Sequence, residues 1–166
     1  MTAANQPIHP CLWFDDRAEE AVAFYCSIFD DSKVLRTTRY VEGVENPSGR
    51  PAGSVLTIDF RLRGQQFTAL NGGPHFRFNE AISLVVDCEN QAEVDRYWEL
   101  LREGGDPKSQ QCGWLKDKFG VSWQIVPRGV DELISDSDPA RARRATEALL
   151  KMKKLDIAAL RKAAAA

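Results

Sequence analysis

Two side chains in the second half of the chain combine a nucleophile with a potential base. Cys112 carries a thiol and Asp117 a carboxylate, beside a predicted turn over residues 116–120. A thiol and a carboxylate at the mouth of a cavity can serve as nucleophile and general base. Neither has a histidine beside it in sequence, so no Ser-His-Asp or Cys-His set is predicted. The alternative is that Asp117 shapes the turn before Gly120.

Composition and charge limit the classes of partner. The 166 residues are 43% hydrophobic and 28% charged, which is ordinary for one globular domain. Lysine and arginine number 22 against 24 aspartates and glutamates, a formal net charge of −2. This balance disfavours nucleic acid as a partner, and no apolar run predicts a membrane partner. Residues 1–7 lack the pattern of a secretory signal, so we expect a cytoplasmic protein.

The cysteines are scattered, with no C-x-x-C pair. This spacing predicts reduced thiols rather than a disulfide framework. Three of them sit in or beside apolar patterns and are predicted to be small buried residues: Cys11, Cys26 and Cys88.

An internal repeat organises the chain. Its first copy opens with an apolar strand over residues 10–14, followed by Asp15 and Asp16 as acidic caps and by a helix from Ala18. Three strands with turn signals between them follow, over residues 33–41, 54–62 and 66–71. The order βαβββ predicts one module over about residues 8–71.

The pattern returns in the second half of the chain. A strand over residues 81–86 is followed by Asp87 as an acidic cap and by a helix that opens at Ala92. Shorter strands follow, around residues 112–115 and over 121–126. The second module covers about residues 80–127. The predicted class is α+β, with two βαβββ modules that each form a curved sheet backed by a helix.

The last segment does not repeat the pattern. Asp138 is a predicted N-cap and Pro139 the first residue of a helix, and Asp156 is predicted to cap a last short helix. We expect this extension, about residues 130–163, to pack on the domain or on a second subunit. It would complete a single domain over residues 1–166.

The order of these elements and several local motifs resemble a known family. The motifs are Pro10-Cys-Leu-Trp-Phe14, Ala18-Glu-Glu-Ala21, Leu70-Asn-Gly-Gly-Pro74, CGWLKDKFG over 112–120, SWQIVP over 122–127 and KMKKLDI over 151–157. They resemble the PhnB-like branch of the glyoxalase and vicinal-oxygen-chelate superfamily, often labelled 3-demethylubiquinone-9 3-methyltransferase. The resemblance covers nearly the whole chain and implies paired βαβββ modules, a ligand cleft and a homodimer.

Enzymes of that superfamily bind a divalent metal through ligands from the first and fourth strands of both modules. The corresponding positions hold Pro10, Ala69, Ala81 and Gln124. The resemblance therefore predicts no metal site and no cofactor. His9 and Glu80 lie one residue earlier, and a one-residue offset turns a strand side chain to the other face of the sheet. His75 is predicted to be a loop residue between the modules.

Because strands have a two-residue period, those four positions also assign their neighbours to the cleft face. The predicted ligand-binding residues are apolar or small polar ones, namely Leu12, Phe14, Phe67, Asn71, Ser83, Trp114, Ser122 and Gln124. The same parity turns Trp13 and Trp123 to the opposite face, beneath the helices. A mainly apolar cavity with a few polar groups is typical of a site for a small organic ligand.

These observations favour metal-independent binding of a small, largely apolar organic molecule. The alternative is an enzyme acting on such a molecule, either a glyoxalase-like lyase or isomerase or the methyltransferase of the family label. The usual methyl-donor pattern, a glycine-rich turn between a strand and a helix, is missing from the sequence. Gly72-Gly73 before Pro74 is better explained as a turn between modules. An enzyme would use Cys112 and Asp117 as its catalytic candidates.

Overall fold

The computed structural model describes residues 8–166 and divides the chain into two compact units, Met1–Phe78 and Asn79–Ala166. The division falls between the two predicted modules. Each unit contains one β-sheet and a helix that contacts it, so the predicted α+β class is confirmed. Among the described residues, no helix has the length and apolar character needed to span a membrane.

The first unit has the predicted βαβββ order. Its elements are β1 (Cys11–Phe14), α1 (Ala18–Ile28), β2 (Lys33–Arg39), β3 (Val55–Leu62) and β4 (Gln65–Asn71). The sheet order is β1-β4-β3-β2, with β1 parallel to β4 and the other pairs antiparallel. The parallel pair forms because α1 and two further strands separate β1 from β4 in the chain, which leaves room for the crossover.

Aromatic rings from the helix and the sheet build the core of this unit. Strand β3 alternates polar and apolar residues, and Phe60 on its apolar side is fully buried. The Tyr25 ring of α1 stacks on Phe60 with centroids 6.5 Å apart, and Phe60 stacks on Phe67 of β4 at 5.4 Å. Burial of each ring contributes on the order of 2 kcal/mol. The sheet face that carries Phe60 and Phe67 is therefore the face covered by α1.

The second unit has a smaller sheet. Its elements are β5 (Leu84–Cys88), α2 (Gln91–Arg102), a 3-10 turn (Pro107–Ser109), β6 (Trp114–Lys116), β7 (Ser122–Pro127), α3 (Val130–Ile134), α4 (Pro139–Leu149) and α5 (Ile157–Ala165). The described sheet has three strands in the order β5-β7-β6. The 3-10 turn stands between α2 and β6, where the first unit has its edge strand β2. Pro107 lacks the backbone N–H that a strand ladder needs.

The start of β5 also differs from the prediction. Residues 80–82 form a turn and a bend, so the strand begins at Leu84 and extends to Cys88. The acidic residues expected as caps are not the N-caps. Arg17 holds the N-cap position of α1, and Asn90 holds that of α2.

The C-terminal helices begin where the sequence predicts. Asp138 accepts a hydrogen bond from Ala140 N, Pro139 is the first helical residue, and Asp156 accepts from Ala159 N. The segment between α4 and α5 pairs with the chain before β6, because Gly113 N donates to Lys153 O at 2.7 Å. Gly113 has a φ of +83°, and a Cβ there would lie 3.1 Å from Leu155 Cδ1. A larger residue would therefore strain this pairing.

Candidate functional site

The predicted ligand-binding residues of the first unit lie on the face covered by α1, so their assignment to a cleft face is wrong. Leu12, Phe14, Phe67 and Asn71 are all less than 9% exposed. The ladder pairs Leu12 with Ala69 and Phe14 with Asn71, which places all of them on the side of Phe67. The error lies in matching Pro10 and Ala69 to cleft-facing positions, because a one-residue difference in register exchanges the two faces of a strand.

Asn71 shows what these side chains do instead. Its Oδ1 accepts a hydrogen bond from Ala18 N at 2.8 Å, at the first residue of α1. Its Nδ2 donates to Glu19 Oε2 at 2.6 Å and to Val55 O at 3.1 Å. The N-cap residue Arg17 makes no side-chain cap bond. Asn71, on a strand distant in sequence, therefore provides the hydrogen-bond acceptor for a free backbone N–H at the N-terminus of α1.

The other face of the first sheet carries polar and reactive side chains. We call it the first distal face and define it by His9, Cys11, Trp13, Asp59 and Thr68. Trp13 was expected beneath a helix, but it is half-buried and donates from its indole to Gly73 O at 2.9 Å. Cys11 was expected to be buried, but it is exposed. Partial desolvation and the nearby Asp59 carboxylate raise the pKa of the Cys11 thiol.

In the second sheet the predicted parity agrees with the structure. Trp123 and Ile125 are buried on the side of β7 that faces α2. Gln124 points the other way, and its Nε2 donates to Ser83 Oγ at 2.8 Å. The ladders pair Gln124 with Trp114 of β6 and with Val85 of β5. Three predicted ligand-binding residues, Ser83, Trp114 and Gln124, therefore share one face.

We call this surface the second distal face and define it by Ser83, Val85, Trp114, Lys116, Ser122 and Gln124. It mixes apolar and polar groups: Val85 is 55% exposed and Trp114 is half-buried. Ser122 pairs with Lys116 in the ladder and is 2% exposed. Its hydroxyl has no hydrogen-bond partner in the described part of the chain. A buried, unpaired hydroxyl is a group that a ligand can satisfy.

Lys116 and Glu80 form an ion pair at the edge of the second distal face. The Lys116 ammonium donates to the Glu80 carboxylate and holds the pKa of that carboxyl below its ordinary value. Glu80 is thereby engaged as a partner of Lys116.

The two catalytic candidates have different surroundings. Asp117 is 3% exposed, and its Oδ1 accepts from Phe119 N at 2.9 Å and Val121 N at 3.0 Å. Its Oδ2 accepts from Trp123 Nε1 at 2.8 Å. These bonds give Asp117 the turn-shaping role. Cys112 has a φ of +52° and donates from its backbone N to Met152 O at 2.8 Å.

The residues do not fit the superfamily's metal. Ala69 is fully buried, Ala81 lies in a turn, and the Gln124 amide is bonded to Ser83. Within residues 8–166, no three His, Cys, Asp or Glu side chains lie close enough to hold one ion. His9 does reach the first distal face, contrary to the expected parity, and its Nε2 lies 3.1 Å from Thr68 Oγ1. His75 is a loop residue as predicted, with Nε2 3.1 Å from Pro47 O.

At the level of the fold, the chain is similar to solved glyoxalase and vicinal-oxygen-chelate structures. The family model of 3-demethylubiquinone-9 3-methyltransferase matches residues 6–126, and the chain belongs to this family, as its motifs predict. A search of curated proteins found no match.

Solved structures agree with this assignment. The PhnB protein of Bacillus cereus, described as a 3-demethylubiquinone-9 3-methyltransferase, is 36% identical, with a TM-score of 0.62 over 74% of this chain and 99% of that chain. Protein PA1353 of Pseudomonas aeruginosa is 18% identical, with a TM-score of 0.56 over 74% of this chain and 98% of that chain. The fosfomycin resistance protein FosX of Listeria monocytogenes, complexed with Mn(II) and sulfate, is 16% identical, with a TM-score of 0.51 over 77% of this chain and 94% of that chain. The last two support the fold alone.

Proposed function

We propose that this protein binds a small, largely apolar organic molecule on the second distal face, without a metal ion. The observation that carries the proposal is the meeting of Ser83, Trp114 and Gln124 on one sheet face. The sequence predicts these residues as ligand contacts; the strand register pairs Trp114 with Gln124, and a hydrogen bond joins Gln124 to Ser83. Family membership supports the proposal at the level of the fold class.

Apolar contact comes from Trp114 and Val85, which flank Gln124 on the neighbouring strands. An indole supplies a large flat surface at a small cost in side-chain entropy, and aromatic ligands stack on it favourably. Val85 is 55% exposed, so a ligand that covers it removes apolar surface from water.

Polar recognition comes from Gln124 and Ser122. The hydrogen bond from Gln124 Nε2 to Ser83 fixes the orientation of the amide, so Oε1 is available as an acceptor for a ligand donor. The buried Ser122 hydroxyl is a second polar group on this face. A few fixed polar groups within an apolar surface select ligands by orientation as well as by size.

The test uses the dye 8-anilinonaphthalene-1-sulfonate as an apolar aromatic probe. We expect it to bind the protein and to bind the Trp114→Ala variant about tenfold more weakly, because the indole platform is lost. Gln124→Ala should weaken binding about threefold, since only one hydrogen bond is removed. Phe76→Ala is the control because it removes a 64% exposed aromatic ring outside this face. Equal affinity for the wild type and a folded Trp114→Ala protein would contradict the proposal.

Native mass spectrometry of the protein as purified adds a second readout. A retained organic mass that disappears in Trp114→Ala would support binding on the second distal face. The same spectrum tests the homodimer that we propose from the family resemblance.

Methyl transfer is the second candidate, because the family's description names it. It requires a methyl donor, and titration with S-adenosylmethionine in a calorimeter tests for one. Stoichiometric binding of the donor would favour an enzyme. The variants Cys112→Ala and Asp117→Asn would then test the two catalytic candidates. A flat titration would leave the binding proposal as the better explanation.

A further inference from the structure

A chain of polar side chains crosses the first distal face. Arg36 holds Asp59 Oδ2 in an ion pair of 3.0 Å, and Thr68 Oγ1 donates to Asp59 Oδ1 at 2.7 Å. His9 Nε2 lies 3.1 Å from the same Thr68 Oγ1. The strand register builds this arrangement, because it pairs Arg36 with Asp59 and Asp59 with Thr68. The charge of Arg36 is thus connected to an imidazole through two intervening side chains.

The direction of the hydrogen bonds fixes the tautomer of His9. Asp59 forms an ion pair with Arg36, and a carboxylate can only accept hydrogen bonds. Thr68 has a single hydroxyl proton, and it gives that proton to Asp59. Thr68 Oγ1 must therefore accept from His9, which places a proton on Nε2. In the neutral imidazole the Nδ1 nitrogen is then the bare acceptor.

That acceptor is buried and unused. His9 Nδ1 has no hydrogen-bond partner among residues 8–166 and almost no exposed surface. A buried acceptor without a partner is unfavourable, so a bound donor at this nitrogen would be stabilised. Cys11 and Trp13 lie on the same face of the chain, two and four positions beyond His9. The Trp13 ring also lies on this face, where Phe76 meets it edge-on with ring centroids 4.8 Å apart.

We propose that His9 Nδ1 accepts a hydrogen bond from the O–H group of a phenol-like small molecule bound on the first distal face. Thr68, Asp59 and Arg36 act as positioning residues that hold the required tautomer. The ligand's ring extends from His9 along this face toward Cys11 and Trp13. This site lies on a different sheet from the second distal face, and its test does not depend on ligand binding there.

The tautomer is tested first, by long-range ¹⁵N NMR on uniformly labelled protein at about pH 8, where an ordinary imidazole is neutral. The sequence has two histidines, so His75→Gln assigns both ring systems. We expect His9 to show a protonated Nε2 and a bare Nδ1. Thr68→Val should shift this pattern, because a valine side chain cannot accept the hydrogen bond from His9 Nε2. Thr57→Val is the matched control, since Thr57 bonds to Thr38 at 2.6 Å on the same sheet.

A protonated Nδ1 in the wild type, or an unchanged pattern in Thr68→Val, would overturn the proposal. If Thr68→Val does not fold, Asp59→Asn is the second variant. An amide frees the Thr68 hydroxyl from donating to a carboxylate, so the His9 tautomers should mix.

The ligand class is tested with p-cresol and 4-methylanisole. The two probes differ in one methyl group on oxygen, and only p-cresol donates a hydrogen bond. We expect p-cresol to shift the His9 Nδ1 signal. We also expect it to bind about tenfold more tightly than 4-methylanisole, because a site that hydrogen-bonds a hydroxyl group rejects an analogue without that group. His9→Gln should remove that preference, and Trp114→Ala should leave it unchanged. Equal binding of the two probes, or a preference that survives His9→Gln, would overturn the proposal.

Discussion

The two units each contain a buried polar side chain that sequence reasoning assigned to a site. Asn71 in the first unit is fully buried and neutral, whereas Asp117 in the second is 3% exposed and a carboxylate. Asn71 connects a strand to the start of α1, and Asp117 connects a turn to the indole of Trp123. The comparison shows that a polar residue in an apolar pattern can be required by its own fold, because backbone groups need partners.

The helices of the two units are capped in different ways. α2 has a local cap, in which Asn90 Oδ1 accepts from Glu93 N at 3.1 Å and Glu93 Oε2 accepts from Glu89 N at 2.9 Å. α1 receives its side-chain acceptor from Asn71, which lies 53 residues beyond Ala18. The second helix can therefore keep its cap with only local structure in place, while the first depends on the folded sheet.

Asp117 is expected to give the largest effect on stability. Asp117→Asn replaces one acceptor oxygen with an N–H group, which then opposes either Trp123 Nε1 or the turn amides of Phe119 and Val121. We expect a loss of about 3 kcal/mol in the free energy of unfolding, because a buried donor loses a charged partner. Urea denaturation followed by circular dichroism measures it.

Trp123→Phe provides the control for this prediction, since it removes the indole donor itself. The double variant should be less destabilised than the sum of the two single variants, with a coupling of about 1 kcal/mol. Additive effects would show that the bond between Asp117 and Trp123 contributes little.

Asn71 is expected to give the second largest effect. Asn71→Ala leaves Ala18 N and Val55 O without their buried partner. We expect a loss of about 2 kcal/mol, because the two buried bonds are neutral and the third partner, the Glu19 carboxylate, belongs to an exposed residue that water can reach. The measurement is the same urea midpoint. A loss larger than that of Asp117→Asn would reverse the order that charge predicts.

Much of the fold could be predicted from local patterns. The strands and helices follow hydrophobic periodicity, and the caps Asp138 and Asp156 lie beside the helices they serve. The acidic caps Asp15, Asp16 and Asp87 were wrong, because a short loop lets several polar residues compete for one N-cap position. A helix or strand is predicted from the pattern of a whole segment, whereas an N-cap is predicted from a single residue, so its position is more easily misassigned.

The side of the sheet on which each side chain lies was predicted correctly from the sequence in the second unit but not in the first. In the second sheet, Trp123 and Gln124 take the predicted sides. In the first sheet the match of Pro10 and Ala69 to cleft-facing positions was displaced by one residue, which exchanged the faces of β1 and β4. The alternation of Asp59 and Phe60 in β3 could have indicated the correct faces. In a sheet with a helix on one side, the apolar residues face the helix and the polar residues face away from it. The bond between His9 and Thr68 had no sequence signal because 59 residues separate its partners.

The local cap of α2 sharpens the comparison between the helices. Asn90→Ala should cost about 1 kcal/mol, which is typical of a lost side-chain N-cap. Asn90→Asp is the conservative control and should retain most of the stability, because its carboxylate can accept from Glu93 N. Urea denaturation of both variants beside Asn71→Ala tests the contrast. If Asn90→Ala cost as much as Asn71→Ala, the local and the remote cap would be equivalent.

The smallest effect is expected at the ion pair between Lys154 and Asp95, which joins the segment before α5 to α2. The ammonium and Asp95 Oδ1 lie 2.7 Å apart, and this bond, followed by one from Gln91, lowers the pKa of Asp95 from its ordinary value of 3.8. A carboxyl whose pKa is lowered on folding contributes stability above its unfolded pKa and loses it as pH falls through the folded value. Lys154→Ala should therefore lower the free energy of unfolding at about pH 7 by less than about 1 kcal/mol, because the pair is exposed and screened.

The pH dependence of that difference separates a charge effect from a packing effect. When Asp95 is protonated the ion pair is gone, so the wild type and Lys154→Ala should converge at acidic pH, below the folded pKa of Asp95. Lys154→Met keeps most of the apolar stem without the charge and should behave like Lys154→Ala at both pH values. A difference between wild type and Lys154→Ala that persisted at low pH and disappeared in Lys154→Met would instead assign the contribution of Lys154 to its stem.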